Sequence, residues 1–310
     1  MSPIKESTLC GDWHYEYIKP SLVQAKKIKE TILSEMTDYQ SVVIHETSCF
    51  GKSLVLDNKT QSTEIDEFIY HETLVHPCLV SHQSPTEIFV AGGAEGATIR
   101  EVLSHNIVKK VTMVDLDEKL VNLCKKYLPN LHCGSFDDSR LELHHIDALQ
   151  FLKKTNLRFD VMIMDIPDPI KDGPAFQLFT REFYDLVRSR LKPNGAVVTQ
   201  AGPTGLTLFG QYFSPVFNTI ASVFPKSFAY ETFVPSFGST WGFVVGSIGL
   251  TPNTLSVKTI DSLVSQRVNR YLRHYDGTTH KSIFSLPKYL RAGITKEKRV
   301  ITNAKPIYVE

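Results

Sequence analysis

The sequence lacks the features that mark secreted, membrane-spanning or imported proteins. Its five cysteines are odd in number, scattered, and never at CxxC spacing, so neither a disulfide framework nor a structural zinc site is predicted. No stretch approaches the roughly 20 apolar residues that a membrane-spanning helix requires. The first dozen residues contain no apolar run, and the early acids Glu6, Asp12 and Glu16 are unlike an organelle transit peptide. We therefore expect a cytoplasmic protein that does not enter a membrane.

An excess of charge of one sign is also missing. Lys and Arg total 34 against 33 for Asp and Glu, which leaves a formal net charge of +1 over 310 residues. Binding along a nucleic acid needs clustered basic charge, so we expect no nucleic-acid partner. The hydrophobic fraction of 42% is ordinary for a globular protein, and the length suits one large domain or two unequal ones.

Three common enzyme motifs are absent or incomplete. The segment HETLVH contains His71, Glu72 and His76, but the second zinc ligand of an HExxH motif would fall on Val75. No GxSxG motif occurs, and the glycine-rich segment carries no Walker lysine. We therefore predict no metal centre and find no support for a serine hydrolase or a nucleoside triphosphatase.

Strands and helices alternate along most of the chain. Residues 12–65 indicate a small antiparallel β unit, because residues 39–46 and 53–56 are β-branched or aromatic runs separated by a polar, glycine-containing piece. A helical pattern follows from Ile65, and beyond about residue 250 we expect one helical stretch, residues 262–272, and an irregular tail. The predicted architecture is an N-terminal β domain, residues 1–65, and a doubly wound, Rossmann-like α/β domain, residues 66–310. Its alternating strands are predicted at residues 88–91, 111–115, 141–146, 159–165 and 195–200, with a closing antiparallel pair at residues 228–234 and 241–246.

Acidic residues occupy the predicted carboxyl ends of these strands, where ligands bind in such sheets. The first is Glu95, inside a loop in which Gly92, Gly93 and Gly96 let the backbone turn tightly and approach a ligand. A carboxylate there would repel a pyrophosphate or the carboxylate of S-adenosylmethionine, so Glu95 favours a cationic ligand. The alternative is that Glu95 complements the dipole of the following helix.

Two further acids suggest contacts with a nucleoside. Asp115 ends a strand about 20 residues after the glycines, where an acid commonly accepts hydrogen bonds from ribose hydroxyls. Asp147, with Ala148, follows the next strand and could contact adenine. The alternative for each is a helix cap, made by Asp115 or Asp117 in the first case and by Asp147 in the second.

A fourth strand end carries two carboxylates. Asp165 and Asp168 lie three residues apart in a loop stiffened by Pro167 and Pro169. Two neighbouring carboxylates can clamp an amine and accept its proton, each raising the pKa of the other. A solvated acidic turn is the alternative, but the position beside three other candidate ligand contacts favours the amine site.

In order and spacing, five segments resemble the aminopropyltransferases, the spermidine and spermine synthase family: GGAEG, VTMVDLDEKLV, IDALQFL, DVMIMDIPDP and VVTQAGP. The resemblance runs from about Trp13 to Gly246. It implies a methyltransferase-type fold, assembly into a homodimer or homotetramer, and transfer of an aminopropyl group from decarboxylated S-adenosylmethionine to a polyamine. It implies no cofactor, because decarboxylated S-adenosylmethionine is a co-substrate.

The resemblance also implies roles for individual residues. Asp165 would be the catalytic proton acceptor. Residues that would bind the donor or methylthioadenosine are Gln40, Gln61, Glu95, Asp115, Asp147, Ala148 and Pro174. Residues that would bind or surround the polyamine are Tyr70, His71, Asp168, Gln200 and Trp241.

The chain departs from many spermidine synthases at three positions. Val234 stands where tyrosine precedes the proline, His71 where some members have glutamine, and Glu95 where many have aspartate. We expect a wider, more apolar acceptor tunnel with Phe237 and Trp241 as candidate walls, although core packing is the alternative for both aromatic residues. Such a tunnel favours spermidine over putrescine as the acceptor.

The expected product follows from a narrower resemblance. The segments DEFIYHETLVHP, TQAGPTG and VPSFGSTWGF resemble the thermospermine-forming branch of the family in plants. We therefore expect thermospermine, with spermine or spermidine formation as the alternative within the family. Two alternatives of another class are a methyltransferase using intact S-adenosylmethionine and a non-catalytic polyamine-binding protein.

Overall fold

The computed structural model describes residues 11–169 and 174–308 and divides the chain into two compact units. The first unit ends at Asp66 and the second begins at Glu67. The N-terminal unit contains a five-stranded sheet and the second a seven-stranded sheet. Among the described residues, no helix is long and apolar enough to cross a membrane.

The N-terminal unit is an antiparallel sheet whose strands follow one another in sequence order. Its strands are β1 (Trp13–Lys19), β2 (Leu22–Met36), β3 (Ser41–Thr47), β4 (Gly51–Leu56) and β5 (Lys59–Thr63). Asp57 and Asn58 join β4 to β5 with φ values of 45° and 64°, as in the mirror-image turns that favour hairpins. The sequence pattern does not single out β2, because most of its side chains are at least partly exposed and many are polar.

The second unit contains a mixed sheet. Its strands are β6 (Glu87–Gly92), β7 (Lys110–Val114), β8 (Leu141–His144), β9 (Phe159–Asp165), β10 (Leu191–Pro203), β11 (Lys226–Val234) and β12 (Ser239–Ser247). They lie in the order β11-β12-β10-β9-β6-β7-β8, with β6 to β10 parallel and β11 and β12 antiparallel. The order reverses at β6, which lies between β9 and β7, so the crevice expected to bind ligands opens beside β6.

Helices cover both faces of this sheet. They are α1 (Glu67–Ser81), α2 (Ala97–Leu103), α3 (Glu118–Tyr127), α4 (Pro129–His132), α5 (Ala148–Lys154), α6 (Arg181–Ser189), α7 (Phe213–Ala221), α8 (Val257–Arg267), α9 (Gly277–Ile283) and α10 (Lys288–Lys296). One apolar core packs α5, α6 and α7 against the sheet, and a second packs α1, α2 and α8. Burial on both faces explains the continuous apolar strands of the sequence and confirms the predicted α/β fold with its N-terminal antiparallel β domain.

The C-terminal segment is more regular than the sequence predicts. The expected helix over residues 262–272 is instead α8, which ends at Arg267, and α9 and α10 occupy the part expected to be irregular. The fully buried carboxylate of Glu72 on α1 accepts backbone hydrogen bonds from Arg273, His274 and Tyr275 at 2.8–2.9 Å. The segment before α9 is therefore tied to α1, a long-range contact that local periodicity cannot reveal.

Candidate active site

The carboxyl ends of β6 and β9 meet at the switch point, where Gly92 pairs with Asp165. Gly92 and Gly93 have φ values of 76° and 80°, in the left-handed region that favours glycine. A Cβ at Gly92 would lie 2.1 Å from the Asp165 carbonyl oxygen, and one at Gly93 would lie 3.1 Å from Asp165 Oδ2. The glycines therefore allow the loop after β6 to approach the Asp165 carboxylate.

Asp165 receives hydrogen bonds from two neutral hydroxyls. Tyr70 Oη donates to Oδ1 at 2.8 Å, and Thr98 Oγ1 donates to Oδ2 at 2.5 Å. Burial and the nearby Glu95 carboxylate raise the pKa of Asp165 above its usual range, although His71 and the two hydroxyls oppose the shift. A carboxylate with a raised pKa is a better proton acceptor near neutral pH than an ordinary aspartate.

His71, the next residue on α1, is held between two carboxylates. Its Nδ1 lies 2.8 Å from Glu67 Oε2 and its Nε2 lies 2.9 Å from Glu95 Oε1. Burial lowers the pKa of His71, but the hydrogen bonds to Glu67 and Glu95 outweigh it and raise the pKa to about 10. The imidazole is therefore a cation at neutral pH that donates both N–H groups. Glu95 lies two residues before the start of α2, ahead of the N-cap Gly96, and pairs with His71.

Glu67, which accepts from His71, is also paired with Arg100 in the interior of the second unit. Arg100 donates from Nη1 and Nη2 to the two Glu67 oxygens at 3.0 and 2.8 Å, and from Nε to Glu101 Oε1 at 2.9 Å. His76 Nε2 lies 3.2 Å from Glu101 Oε2. Burial opposes ionisation of Glu101, but His76 and Arg100 lower its pKa to about 2. Arg100 therefore holds the carboxylates of Glu67 and Glu101 in their ionised form.

His71, Glu95 and Asp165 form a group that could hold a metal ion, since one potential ligand atom of each lies within 4.8 Å of the others. Coordination requires a free lone pair on an imidazole nitrogen. Both nitrogens of His71 are used as donors to carboxylates. The arrangement therefore suits the N–H groups of an ammonium ion better than it suits a metal.

Asp115 follows β7 and faces the same end of the sheet. Its Oδ1 accepts a hydrogen bond from the backbone of Asp117 at 3.0 Å. Asp117 itself caps α3, accepting from the backbone of Leu120 at 2.9 Å. The capping role therefore belongs to Asp117. Burial raises the pKa of Asp115 to about 7, and the predicted ribose contact of Asp115 stays a prediction.

Asp147 is the N-cap of α5, where its Oδ1 accepts from the backbone of Gln150 at 2.8 Å. The capping alternative is thus realised, and it places Ala148 as the buried first residue of the helix. A contact with adenine would have to come from the remaining face of this turn, and it stays a prediction.

Gln200, at the carboxyl end of the parallel part of β10, joins two other predicted polyamine-binding residues. Its Nε2 donates to Asp168 Oδ1 at 3.0 Å and to the Ile166 carbonyl at 2.9 Å. Its Oε1 accepts from Trp241 Nε1 at 3.1 Å and from the backbone of Gly202 at 2.9 Å. Gln200 is buried and engaged at both ends, so it orients Asp168 and Trp241.

The candidate tunnel walls differ from one another. The rings of Phe237 and Trp241 lie edge to face with centroids 4.8 Å apart, and Phe237 is 5.9 Å from the ring of Tyr70. Both wall residues are half-buried, which suits a surface beside a substrate. Val234 is only 1% exposed and packs in the core, so any widening caused by the missing tyrosine is not lined by Val234 itself.

Two predicted donor-binding residues belong to the N-terminal unit, and the side chain of a third lies outside the described residues. Gln40 precedes β3 and Gln61 lies in β5, where its Nε2 donates to the Lys59 carbonyl at 3.2 Å. Both belong to the N-terminal unit, and their contacts with the donor stay predictions. Pro174 begins a short 3₁₀ helix, Pro174–Phe179, but its side chain lies outside the described residues.

Two residues of the site, Glu67 and Thr98, escape prediction from the sequence. Glu67 lies four residues before His71, and that helical spacing places both side chains on one face of α1. The spacing could therefore have revealed the pair. Thr98 lies 67 residues before Asp165, and no local pattern signals their hydrogen bond.

Family profiles match both units. The profile described as the spermine/spermidine synthase domain matches residues 67–254, and the one described as the spermidine synthase tetramerisation domain matches residues 12–64. A polyamine aminopropyltransferase from Sulfolobus acidocaldarius is 43% identical over 95% of this chain and 97% of its own length. The enzyme of the same name from Sulfurisphaera tokodaii is 43% identical over 96% of this chain and 98% of its own.

Two solved structures agree with the sequence relatives. A spermidine synthase in complex with the transition-state analogue AdoDATO has a TM-score of 0.85 and 29% identity, covering 93% of this chain and 97% of that one. The spermidine synthase from Thermotoga maritima has a TM-score of 0.82 and 29% identity, covering 93% and 96%. The chain therefore belongs to the spermine/spermidine synthase family of polyamine aminopropyltransferases.

Proposed function

We propose that this aminopropyltransferase acts on decarboxylated S-adenosylmethionine and spermidine, forming thermospermine and methylthioadenosine with Asp165 as the proton acceptor. The observation that carries the proposal is the Asp165 carboxylate at the switch point. It is hydrogen-bonded only by the neutral hydroxyls of Tyr70 and Thr98 among its described contacts, and its pKa is raised.

The acidic groups account for binding of a cationic donor. Removing the carboxylate from S-adenosylmethionine leaves a terminal ammonium, which Glu95 would accept beside His71. Asp115 would bind the ribose hydroxyls, and Asp147 with Ala148 would contact adenine. Gln40, Gln61 and Pro174 would complete the donor site, as the family resemblance implies.

The reaction is a displacement at carbon. The amine nitrogen of the acceptor attacks the aminopropyl carbon bonded to the sulfonium, a C–N bond forms, and the C–S bond breaks. The electron pair of the broken bond stays on sulfur and gives neutral methylthioadenosine. An amine with an ordinary pKa near 10 is protonated at neutral pH, so it must lose a proton before it attacks. Asp165 would take that proton, and the sulfonium is already a leaving group, so no cofactor is needed.

The acceptor side supports a substrate longer than putrescine. Asp168, oriented by Gln200, would bind a second ammonium of the acceptor. Phe237 and Trp241 would pack along its methylene chain, because alkyl segments between ammonium groups are apolar. His71 and Tyr70 would orient the reacting ends. Which end of spermidine is attacked decides between thermospermine and spermine.

The proposed assembly and location follow from the N-terminal unit and the thiols. We expect a homodimer or homotetramer, because residues 12–64 match a profile described as a tetramerisation domain. Cys49, Cys78, Cys124 and Cys133 are free cysteines in the structure, as suits the reducing cytoplasm.

Product analysis tests the proposal directly. Purified enzyme is incubated with decarboxylated S-adenosylmethionine and spermidine, and the tetraamine isomers are separated by chromatography beside authentic standards. We expect thermospermine with equal release of methylthioadenosine. Spermine alone, or turnover of putrescine alone, would contradict the assigned specificity.

Binding measurements separate the alternatives of another class. A methyltransferase should prefer intact S-adenosylmethionine, whereas Glu95 should make the decarboxylated donor bind more tightly. A polyamine-binding protein without activity should bind spermidine and release no methylthioadenosine. Either result would overturn the proposed reaction.

A further inference from the structure

Thr98 makes a contact that the local structure of its helix does not require. It is the second residue of α2, is fully buried, and donates from Oγ1 to Asp165 Oδ2 at 2.5 Å. The helix is capped by Gly96 without a side-chain hydrogen bond, so the Thr98 hydroxyl is not a cap. Threonine is also a weaker helix former than alanine. Its hydroxyl is therefore explained by the carboxylate that it contacts.

Thr98 and Tyr70 each donate a hydrogen bond to a different oxygen of the Asp165 carboxylate. Tyr70 donates to Oδ1 from α1, and Thr98 donates to Oδ2 from α2. Two donors from different helices fix both the position and the rotation of the carboxylate plane. Gly93 keeps this arrangement compact, since a Cβ there would lie 3.1 Å from Oδ2 and 3.5 Å from the Thr98 Cβ.

We propose that Thr98 is a positioning residue that holds the Asp165 carboxylate in place and in its ionised form, ready to accept the proton of the acceptor amine. The inference rests on the proposed role of Asp165. Hydrogen bonds to an ionised carboxylate favour that form over the protonated one. The Thr98 hydroxyl supplies such a bond without adding a cation that would repel the amine.

The other charged and titratable groups that face Asp165 affect its pKa independently of Thr98. Glu95 from the glycine loop raises the pKa of Asp165, while His71 and Tyr70 from α1 lower it. The charge of Asp165 in turn helps to raise the pKa of Asp115, which follows β7. A valine at position 98 keeps the shape of threonine and leaves all four groups in place, so its effect isolates the hydroxyl.

Titration of the carboxyl group itself tests the inference without relying on turnover. Enzyme labelled with ¹³C at aspartate side chains is titrated by NMR, and the Asp165 resonance is identified by its loss in Asp165→Asn. We expect the midpoint to move up by about one pH unit in Thr98→Val, as loss of one charge-assisted hydrogen bond predicts. Thr98→Ser, which keeps the hydroxyl, should recover most of this shift.

A second threonine provides the matched control. Thr73 is buried on α1 but donates to the Ile69 backbone carbonyl at 2.6 Å, so Thr73→Val should leave the Asp165 midpoint in place. Equal midpoints in native enzyme and Thr98→Val would overturn the inference. If the valine variant fails to fold, Thr98→Ala removes the same hydroxyl with a smaller side chain and is judged by the same shift.

The pH dependence of kcat/KM for spermidine gives the second readout. The kcat/KM of the native enzyme should be about ten times that of Thr98→Val at the acidic end of the profile. The ratio of the two values should fall toward one as the pH rises, because Asp165 becomes ionised in the variant as well. A ratio independent of pH would mean a structural defect and would overturn the inference. Full turnover by Asp165→Asn would instead overturn the proton-acceptor role, while the NMR midpoints still decide whether Thr98 acts on Asp165.

Discussion

Two acidic regions at the N-terminal end of α1 are held in opposite ways. Glu67 and Glu95 are paired with cations, through His71 between them and Arg100 behind them. Asp165, reached from the adjacent residue Tyr70, is hydrogen-bonded by neutral hydroxyls. One turn of one helix therefore contacts both a charge-compensated pair and a carboxylate that, among the described residues, has no direct cation partner.

The difference decides which acid can exchange a proton. Opposite charges at close range favour ionisation, and His71 and Arg100 lower the pKa of Glu67 in this way. Burial and a neighbouring carboxylate act the other way on Asp165 and raise its pKa. The compensated region thus presents paired charges, whereas the uncompensated carboxylate of Asp165 is the group suited to proton transfer.

The largest expected effect comes from removing the uncompensated carboxylate. Asp165→Asn keeps the size of the side chain and one acceptor oxygen but cannot accept the amine proton. We expect kcat to fall by roughly 10² to 10⁴-fold, the usual contribution of a general base. Initial rates of methylthioadenosine release, with saturating donor and acceptor, measure this loss.

The exposed Asp185 supplies the control for that substitution, because it pairs only loosely with Arg181 at 3.8 Å on the surface of α6. Asp185→Asn should retain native rates. Methylthioadenosine affinity should be similar in both variants, which separates a loss of chemistry from a loss of binding. Retained turnover in Asp165→Asn would mean that another group accepts the proton.

Breaking the compensated region should affect stability more than chemistry. Glu67→Gln leaves the buried cations His71 and Arg100 without one of their carboxylates. Removing one partner of a buried ion pair typically costs about 3–5 kcal/mol in the free energy of unfolding. Chemical denaturation at pH 7 measures the change, and Glu118→Gln, at an exposed site on α3, should stay within about 0.5 kcal/mol of native.

The pH dependence of the stability lost in Glu67→Gln tests whether the charge of His71 contributes to it. Folding raises the pKa of His71 from its ordinary 6.5 to about 10. Protonation of His71 therefore stabilises the fold fully below pH 6.5, and the contribution is lost as the pH rises through 10. The stability gap between native enzyme and Glu67→Gln should narrow over this interval. A constant gap would show that His71 is neutral in the folded enzyme.

Asp115 extends the comparison to the donor site, because burial raises its pKa to about 7. In the proposed contact the ribose hydroxyls donate to the ionised carboxylate, so methylthioadenosine binding should release about half a proton at pH 7. Affinity should rise as the pH increases through 7 and then level off. Calorimetry in buffers of different ionisation heat counts the proton, and Asp115→Asn should reduce the release. No release in the native enzyme would refute this role for Asp115.

The acidic strand ends were predictable because each follows an apolar strand whose end must lie at one edge of a parallel sheet. The pattern alone places Glu95, Asp115 and Asp165 at that edge. It does not reveal that Glu95 pairs with His71, since that contact depends on how α1 packs against the glycine loop. Local chemistry leads from sequence to the site, and long-range packing decides the charge state of its members.

The same limit applies to capping and to the C-terminal segment. Asp115 and Asp117 are equally plausible caps by sequence, and the structure assigns the cap to Asp117. The tail cannot be read as ordered because Glu72, which ties it down, lies about 200 residues away. Hydrophobic periods of 3.6 or 2 residues indicate which face of a helix or strand is buried, but they do not indicate which other element packs against that face.

The smallest expected effect concerns the orientation of the acceptor-side acid. Trp241→Phe keeps an aromatic wall but removes the indole N–H that donates to Gln200 Oε1 at 3.1 Å. Gln200 keeps its bonds to Gly202 and Asp168, so we expect only about a two- to tenfold rise in KM for spermidine, the range of one lost hydrogen bond. Steady-state kinetics with varied acceptor and then varied donor measure the two KM values.

The other tryptophan, Trp13, lies in β1 and supplies the control. Trp13→Phe should leave the KM for spermidine at its native value. A change in the KM for the donor alone would show that Trp241 serves the donor side, because Asp168 and Gln200 would then be oriented without it.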